Sequence, residues 1–228
     1  MVQELPIPDV IHAAHRWVVD GVVLRLEGLL INADDALFEM ATLSTEEFDQ
    51  RRCFDLARQL RLQRDQIIGG YRHVMDRGRR VWALRDFRSR SSDAAWEHAR
   101  NLGAKAQTHF APLLNVLARD FSDLLECPVD SFDLLPISPT WIANGYIEAR
   151  REAGFSAAAT LFLDRLFVRY VVDRLGGVYG EVHGMLETAL QVHMRPSAPT
   201  SVPGWQLEPL VPANRTTLRE TVARRSQG

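Results

Sequence analysis

Apolar residues return every three or four positions along most of this chain, and no stretch alternates with a period of two between turn residues. An α-helix turns once in 3.6 residues, so that spacing gathers apolar side chains on one face, whereas a half-buried strand needs strict alternation. The class expected is therefore all-α, an irregular bundle of about five to seven helices. At 228 residues, 46% of them apolar, the chain can bury a sizeable core. The helical domain is expected over residues 1–195. After Met194 the run "RPSAPTSVPGWQLEPLVPAN" brings five prolines and little periodicity. Residues 196–228 are thus expected to form an extended Pro-rich tail with a short terminal helix over 216–225.

Local signals divide the domain. A first helix is expected from Asp9, with Val10, Ala14, Trp17, Val18, Leu24 and Leu29 on its apolar face, and "ADDALFEMA" as a separate short helix. Ser44 and Glu47 have the spacing of a capping box ahead of a long helix. Phe48, Cys53, Leu56, Leu60, Ile67, Tyr71 and Val74 share one face of that helix; Gly69-Gly70 is expected to interrupt it and Gly78 to end it. "RVWALRDFRSRSS" reads either as more helix or as a basic loop. Ser92 is expected to cap a helix running to about Glu126, with Pro112 as a kink or restart. Ser138-Pro139 opens a further helix that stops at Gly154. A last helix, capped by Ser156, is expected to run unbroken from 157 to 193.

That last helix contains "GGVYGEVHG", a motif with two readings. A dinucleotide-binding loop requires G-x-G-x-x-G straight after a buried strand, and neither the spacing nor the strand is here. Leu163, Phe167, Val171, Leu175, Val178, Val182, Met185 and Ala189 form a helical stripe instead. Gly176, Gly180 and Gly184, each four apart, line a second face, where close approach of another backbone would compensate their low helix propensity. Either the first helix or a second subunit is expected to pack there.

No catalytic constellation emerges. There is no G-x-S-x-G, no Walker sequence, no His-Glu-x-x-His and no Glu-x-x-His. His12 and His15, three apart on a helix, read as an ordinary histidine pair, and the cluster of Asp34, Asp35 and Glu39 reads as helix-start carboxylates. Cys53 lies on an apolar face and reads as core. No catalytic residue, metal or cofactor is expected. The two cysteines carry no paired spacing, the N-terminus lacks the pattern of a signal peptide, and no run of about 18 apolar residues occurs. A cytoplasmic protein without a membrane partner is expected.

The net charge of −2 conceals a strong local imbalance. Residues 51–90 hold twelve arginines against four aspartates, while residues 120–133 are acidic without a base. Arg77, Arg79, Arg80, Arg85, Arg88 and Arg90, with Trp82 and Phe87 between them, combine positive charge and aromatic faces as anion and nucleic-acid sites do. The competing reading is a solvated helix end paired with the 120–133 carboxylates. Arg165 and Arg169 show the Arg-x-x-x-Arg spacing of cyclic-dinucleotide barrels, without the partner motif those barrels use.

Two stretches carry a family likeness. D-D-A-L-F at 34–38 followed by F-D-x-x-R-x-x-R-x-x-R at 54–64, and later a proline-led helix with L-x-x-L-F and L-G-x-x-Y between 136 and 186, resemble a bacterial family catalogued as domain of unknown function sixteen thirty-one. The resemblance covers about two-fifths of the chain, which is shorter than most members. Relatives often carry the label thymidine phosphorylase, which these residues do not support, since the single lysine, Lys105, sits in "GAKAQTH". The resemblance loosely implies bacterial second-messenger or motility regulation. The function expected is a non-enzymatic regulator or adaptor with a protein partner, a homodimer being one form. The alternative is a module that binds a nucleotide, cyclic dinucleotide or nucleic acid through the 77–90 arginines.

Overall fold

The computed structural model describes residues 8–44, 46–84 and 94–194, without the side chains of Glu47, Phe48, His193 and Met194. The Pro-rich tail and its terminal helix, the Ser92 cap and the choice between helix and loop beyond Leu84 lie outside the described residues. Within them the architecture is all-α, as the periodicity requires. The helices are α1 (Asp9–Leu43), α2 (Glu47–Asp76), α3 (Gly78–Leu84), α4 (Ala94–His109), α5 (Ala111–Leu125), α6 (Pro139–Arg151), α7 (Ala157–Tyr170) and α8 (Leu175–Met194). Short 3-10 turns at Phe132–Leu134 and Val172–Arg174 join α5 to α6 and α7 to α8.

Helix α6 is the central rod. Eleven of its thirteen residues are buried, so no face is left for solvent. Its start follows from sequence: Ser138 accepts a hydrogen bond from Trp141 N at 3.1 Å, and Pro139 occupies the first turn, where its missing N–H is not needed. Its end follows too, since Gly154 adopts φ +64°, the left-handed geometry that favours glycine after a helix. Small residues let α2 and α4 close onto it. A methyl group on Gly145 would lie 3.1 Å from Tyr71 and Met75, and one on Gly103 would lie 2.9 Å from the Pro139 carbonyl carbon.

Helices α1 and α2 form a long antiparallel hairpin beside this centre. The buried row of α1, from Ile11 through Ala14, Val18, Val22, Leu26 and Leu29 to Ala33, Leu37 and Ala41, never breaks step. That continuity corrects the expectation of a separate helix over 33–41, because nothing between Asn32 and Thr42 stops propagation. The capping box is also corrected. Ser44 ends α1, its hydroxyl accepts from Glu46 N at 3.3 Å, and no side chain caps α2. Nor do Gly69 and Gly70 interrupt α2: Gly70 faces Ala149 of α6, with 3.4 Å between a modest Cβ and its neighbour.

The helix expected over 157–193 is in fact two. Ser156 caps α7 through Ala159 N, as its position requires, but the helix yields at Val171 (φ −111°, ψ −64°) to a 3-10 turn before α8 begins. Val171, Val172 and Leu175 are all fully buried there, so the core holds the bend where no proline marks it.

Candidate functional site

The arginine stretch is divided by the structure. Arg77 forms an ion pair with Glu148 of α6, whose other carboxylate oxygen accepts from Asn144 at 2.6 Å. Arg79 lies 3.4 Å from Asp76, one helical turn back. Arg79 also lines an open cleft of about 420 Å³ with Asp9, His12, Ala13 and Arg16 from the start of α1. Arg80 is exposed on α3. Arg85, Arg88 and Arg90 lie outside the described residues. The carboxylates beside Arg77 and Arg79 are thus not those of 120–133. Asp120 pairs instead with His183 at 2.9 Å, and Asp133 accepts a hydrogen bond from the Thr140 hydroxyl.

The histidines of α1 face different surroundings. His12 lines the cleft, whereas His15 is buried with its Nε2 3.3 Å from where a Cβ on Gly78 would sit. Burial, reinforced by the Arg79 charge, lowers the His15 pKa from 6.5 to about 4. The shift keeps the buried imidazole neutral at pH 7. Among the described residues no three His, Cys, Asp or Glu side chains converge as a metal would require.

The 34–38 and 54–64 motifs meet across the α1–α2 hairpin. Arg61 grips Asp34 with both Nε and Nη2, at 2.7 to 3.0 Å, and Phe38 meets Phe54 edge-on at 6.2 Å between ring centres. The acidic start of one motif and the middle arginine of the other are therefore one fork-to-carboxylate contact. Both contacts tie α1 to α2.

Sequence reasoning missed the buried ionic core. Arg150 and Asp164, both almost wholly buried, pair at 3.0 Å between α6 and α7, and His98 of α4 reaches Asp164 at 3.0 Å. The guanidinium also lies over Tyr146, 5.1 Å from its ring centre, and Tyr146 stacks on Phe167 at 4.0 Å. In sequence these residues stand 52 and 14 positions apart with no spacing rule to join them. Only the crossing of α4, α6 and α7 brings them together.

The glycines of α8 do not behave alike. A Cβ on Gly176 would come within 2.5 Å of the Phe110 ring, so this position is closely packed. Gly180 and Gly184 have nothing within 4 Å of that point. Packing of Gly180 and Gly184 against another helix of the same chain is therefore corrected: only Gly176 reaches Phe110 at the α4–α5 junction, and the next two glycines are exposed. Arg165 and Arg169 are exposed on α7.

The largest departure is on α1. Trp17 and Leu24, expected on its buried face, are 48% and 68% exposed, and Ile31 and Phe38 are 52% and 57% exposed. The four stand seven residues apart in an unbroken series. The core row uses the opposite side of α1, so these residues form a second apolar row on the outside. The seven-residue interval was legible; the face it occupies was not, because both rows fit a 3.6-residue period within one turn. Among the described residues no helix is long and apolar enough to cross a membrane, so this row is not part of a spanning segment. No family model, no curated protein and no solved structure matches the chain.

Proposed function

We propose that the chain is a non-enzymatic regulator or adaptor of the cytoplasm that works through protein–protein contact, with the outer row of α1 as its contact surface. The observation that carries this reading is the placing of four large apolar side chains on the exposed face of the best-buried long helix. Single exposed apolar residues need no explanation, but an ordered row of them does. The bacterial family sixteen thirty-one is part of the same proposal, on the strength of the 34–38 and 54–64 motifs. The Asp34–Arg61 and Phe38–Phe54 contacts agree with those motifs serving the hairpin.

The experiment compares chains captured by the wild-type protein and by Leu24→Glu/Ile31→Glu after crosslinking in cells. Both positions are exposed, so the variant should fold. Chains captured by the wild type and lost from the variant support the reading; identical sets refute it.

A second reading has its own observation. The cleft of Arg16, Arg79 and His12 adjoins the arginine stretch and suits a phosphate-bearing ligand, such as a nucleotide, cyclic dinucleotide or nucleic acid. Binding of such ligands that weakens in Arg16→Gln/Arg79→Gln and flattens with salt would favour it. Failure to bind them at low salt would remove it.

A further inference from the structure

We propose that His183 is a phosphoryl-acceptor site, whose Nε2 takes a phosphoryl group from an acyl phosphate or a phosphoramidate while Asp120 positions the ring. The inference does not depend on the reading of α1.

The ring is held in one orientation. Asp120 of α5 is almost wholly buried, and its carboxylate lies 2.9 Å from Nδ1 of His183 on α8. An ionised carboxylate only accepts, so the nitrogen facing it carries the proton and Nε2 keeps its lone pair. The imidazole is 34% exposed, and among the described residues no hydrogen bond occupies its Nε2. His98 differs on both counts. Its Nε2 is turned toward Asp164, and that carboxylate is already paired with Arg150. Among the described residues Asp120 pairs with His183 alone, so its charge is available when a bond to Nε2 makes the ring cationic.

The approach to the ring is clear. A helical side chain leans over the turn N-terminal to its own Cα, and for His183 that turn presents Gly180. Gly180 and Gly184 are exposed, and an added Cβ at either would meet nothing within 4 Å. Glycine inside a helix costs up to ~1 kcal/mol against alanine, and no packing within the chain offsets it here. Open space beside a nucleophilic ring accounts for both glycines: a donor can bring its phosphorus up to Nε2 without meeting a side chain. The acid on the same face, Glu187, lies one turn further on, behind the direction of that lean, and Gln191 donates to it at 3.5 Å.

The step balances without an oxidant or reductant. The Nε2 lone pair attacks phosphorus and forms the N–P bond as the donor's P–O bond to the acyl group, or its P–N bond, breaks. The leaving group departs with the bonding pair, as carboxylate or as ammonia, and the Nδ1 proton stays on the ring against Asp120. The product places a doubly negative group on an exposed, glycine-lined face, a local change of charge that a partner can read.

The test incubates the full chain separately with acetyl phosphate and with phosphoramidate, then maps phosphorylation by mass spectrometry in alkali, where N–P bonds survive. His73 and His109 are more exposed than His183, so accessibility alone would label them first. The expected result is the reverse, with His183 faster than either by about tenfold or more, a modest share of what a positioned group commonly supplies. Phosphorus NMR should place the group on Nε2. Asp120→Asn should bring His183 down to the rate of the other two with an unchanged far-ultraviolet helix signal, and Asp120→Glu should restore part of it. Gly180→Leu, on open surface, should slow His183 alone. Labelling by one donor only supports the site and fixes the leaving group; labelling by neither overturns it. Equal labelling of the exposed histidines, a group on Nδ1, or a rate that Asp120→Asn leaves unchanged would also overturn it. Should Asp120→Asn unfold the chain, the wild-type preference and the NMR assignment still decide.

Discussion

The closest approach between two helices offers a test in which one chemical change should act with opposite sign at two sites. Gly69 and Gly103 both lie inside long helices, α2 and α4. Replacing either with alanine reduces the freedom of the unfolded chain and should gain up to ~1 kcal/mol of helix propensity. At Gly69 the added methyl meets nothing within 4 Å, so the gain should appear in full. At Gly103 it would stand 2.9 Å from the Pro139 carbonyl carbon and 3.0 Å from Thr140 N. Those are backbone atoms at the capped start of α6, which cannot rotate aside as a side chain would. Overpacking of this kind costs roughly 1–3 kcal/mol, and the rigid neighbour favours the upper half of that range. The expected balance is a gain of about 0.5–1 kcal/mol for Gly69→Ala and a loss of about 1–2 kcal/mol for Gly103→Ala. Urea unfolding followed by far-ultraviolet circular dichroism resolves the two, and each kcal/mol should move the thermal midpoint by about 2–4 °C at this size. A Gly103→Ala protein as stable as Gly69→Ala would refute the close α4–α6 contact.

The buried groups provide two further expectations. His15 has its pKa depressed to about 4 by burial, so the unfolded chain binds the extra proton between pH 6.5 and 4. Its contribution is present above pH 6.5 and is lost progressively toward pH 4, by at most about 3 kcal/mol; His15→Gln should flatten the wild-type decline between pH 6.5 and 5 in urea titrations, and an unchanged slope would refute the assignment. Arg150→Met should cost about 3–5 kcal/mol because it leaves the buried Asp164 carboxylate with only His98 against it, whereas Arg150→Met/Asp164→Leu should recover most of that. A double variant as unstable as the single one would show that the pair is not the unit at stake.

What the sequence revealed of the fold depended on local chemistry. Ser138-Pro139, Ser156 and Gly154 mark their boundaries because each acts on backbone groups within four residues. The bend at Val171 left no such mark. It is held by burial of Val171, Val172 and Leu175 against neighbours far along the chain, which no local signal encodes. The capping box failed for a related reason. Ser44 had a choice of helices to serve, and the end of α1 took it. The glycine motif divided along the same line, since helical spacing fixes which residues share a face but not how far along that face the neighbouring helix extends.

The proposed contact surface was less legible than the fold, and the difference follows from what such a surface needs. A reaction centre needs particular residue types at particular distances, and these leave spacing rules behind. A helix-docking row needs only apolar bulk at intervals of seven, and so hides among core positions at intervals of three and four. On α1 the two rows interleave, which is how Trp17 and Leu24 were expected inside. The residues that did look like motifs are spent within the chain: Asp34 on Arg61, Phe38 partly on Phe54, and Arg77 on Glu148. Once those contacts are made, Leu24 and Ile31 remain as large apolar side chains in the middle of α1, on the face turned away from its core row. The folded domain gains nothing by leaving them in water. On the reading proposed above a partner covers them, which makes α1 the first place to look for it.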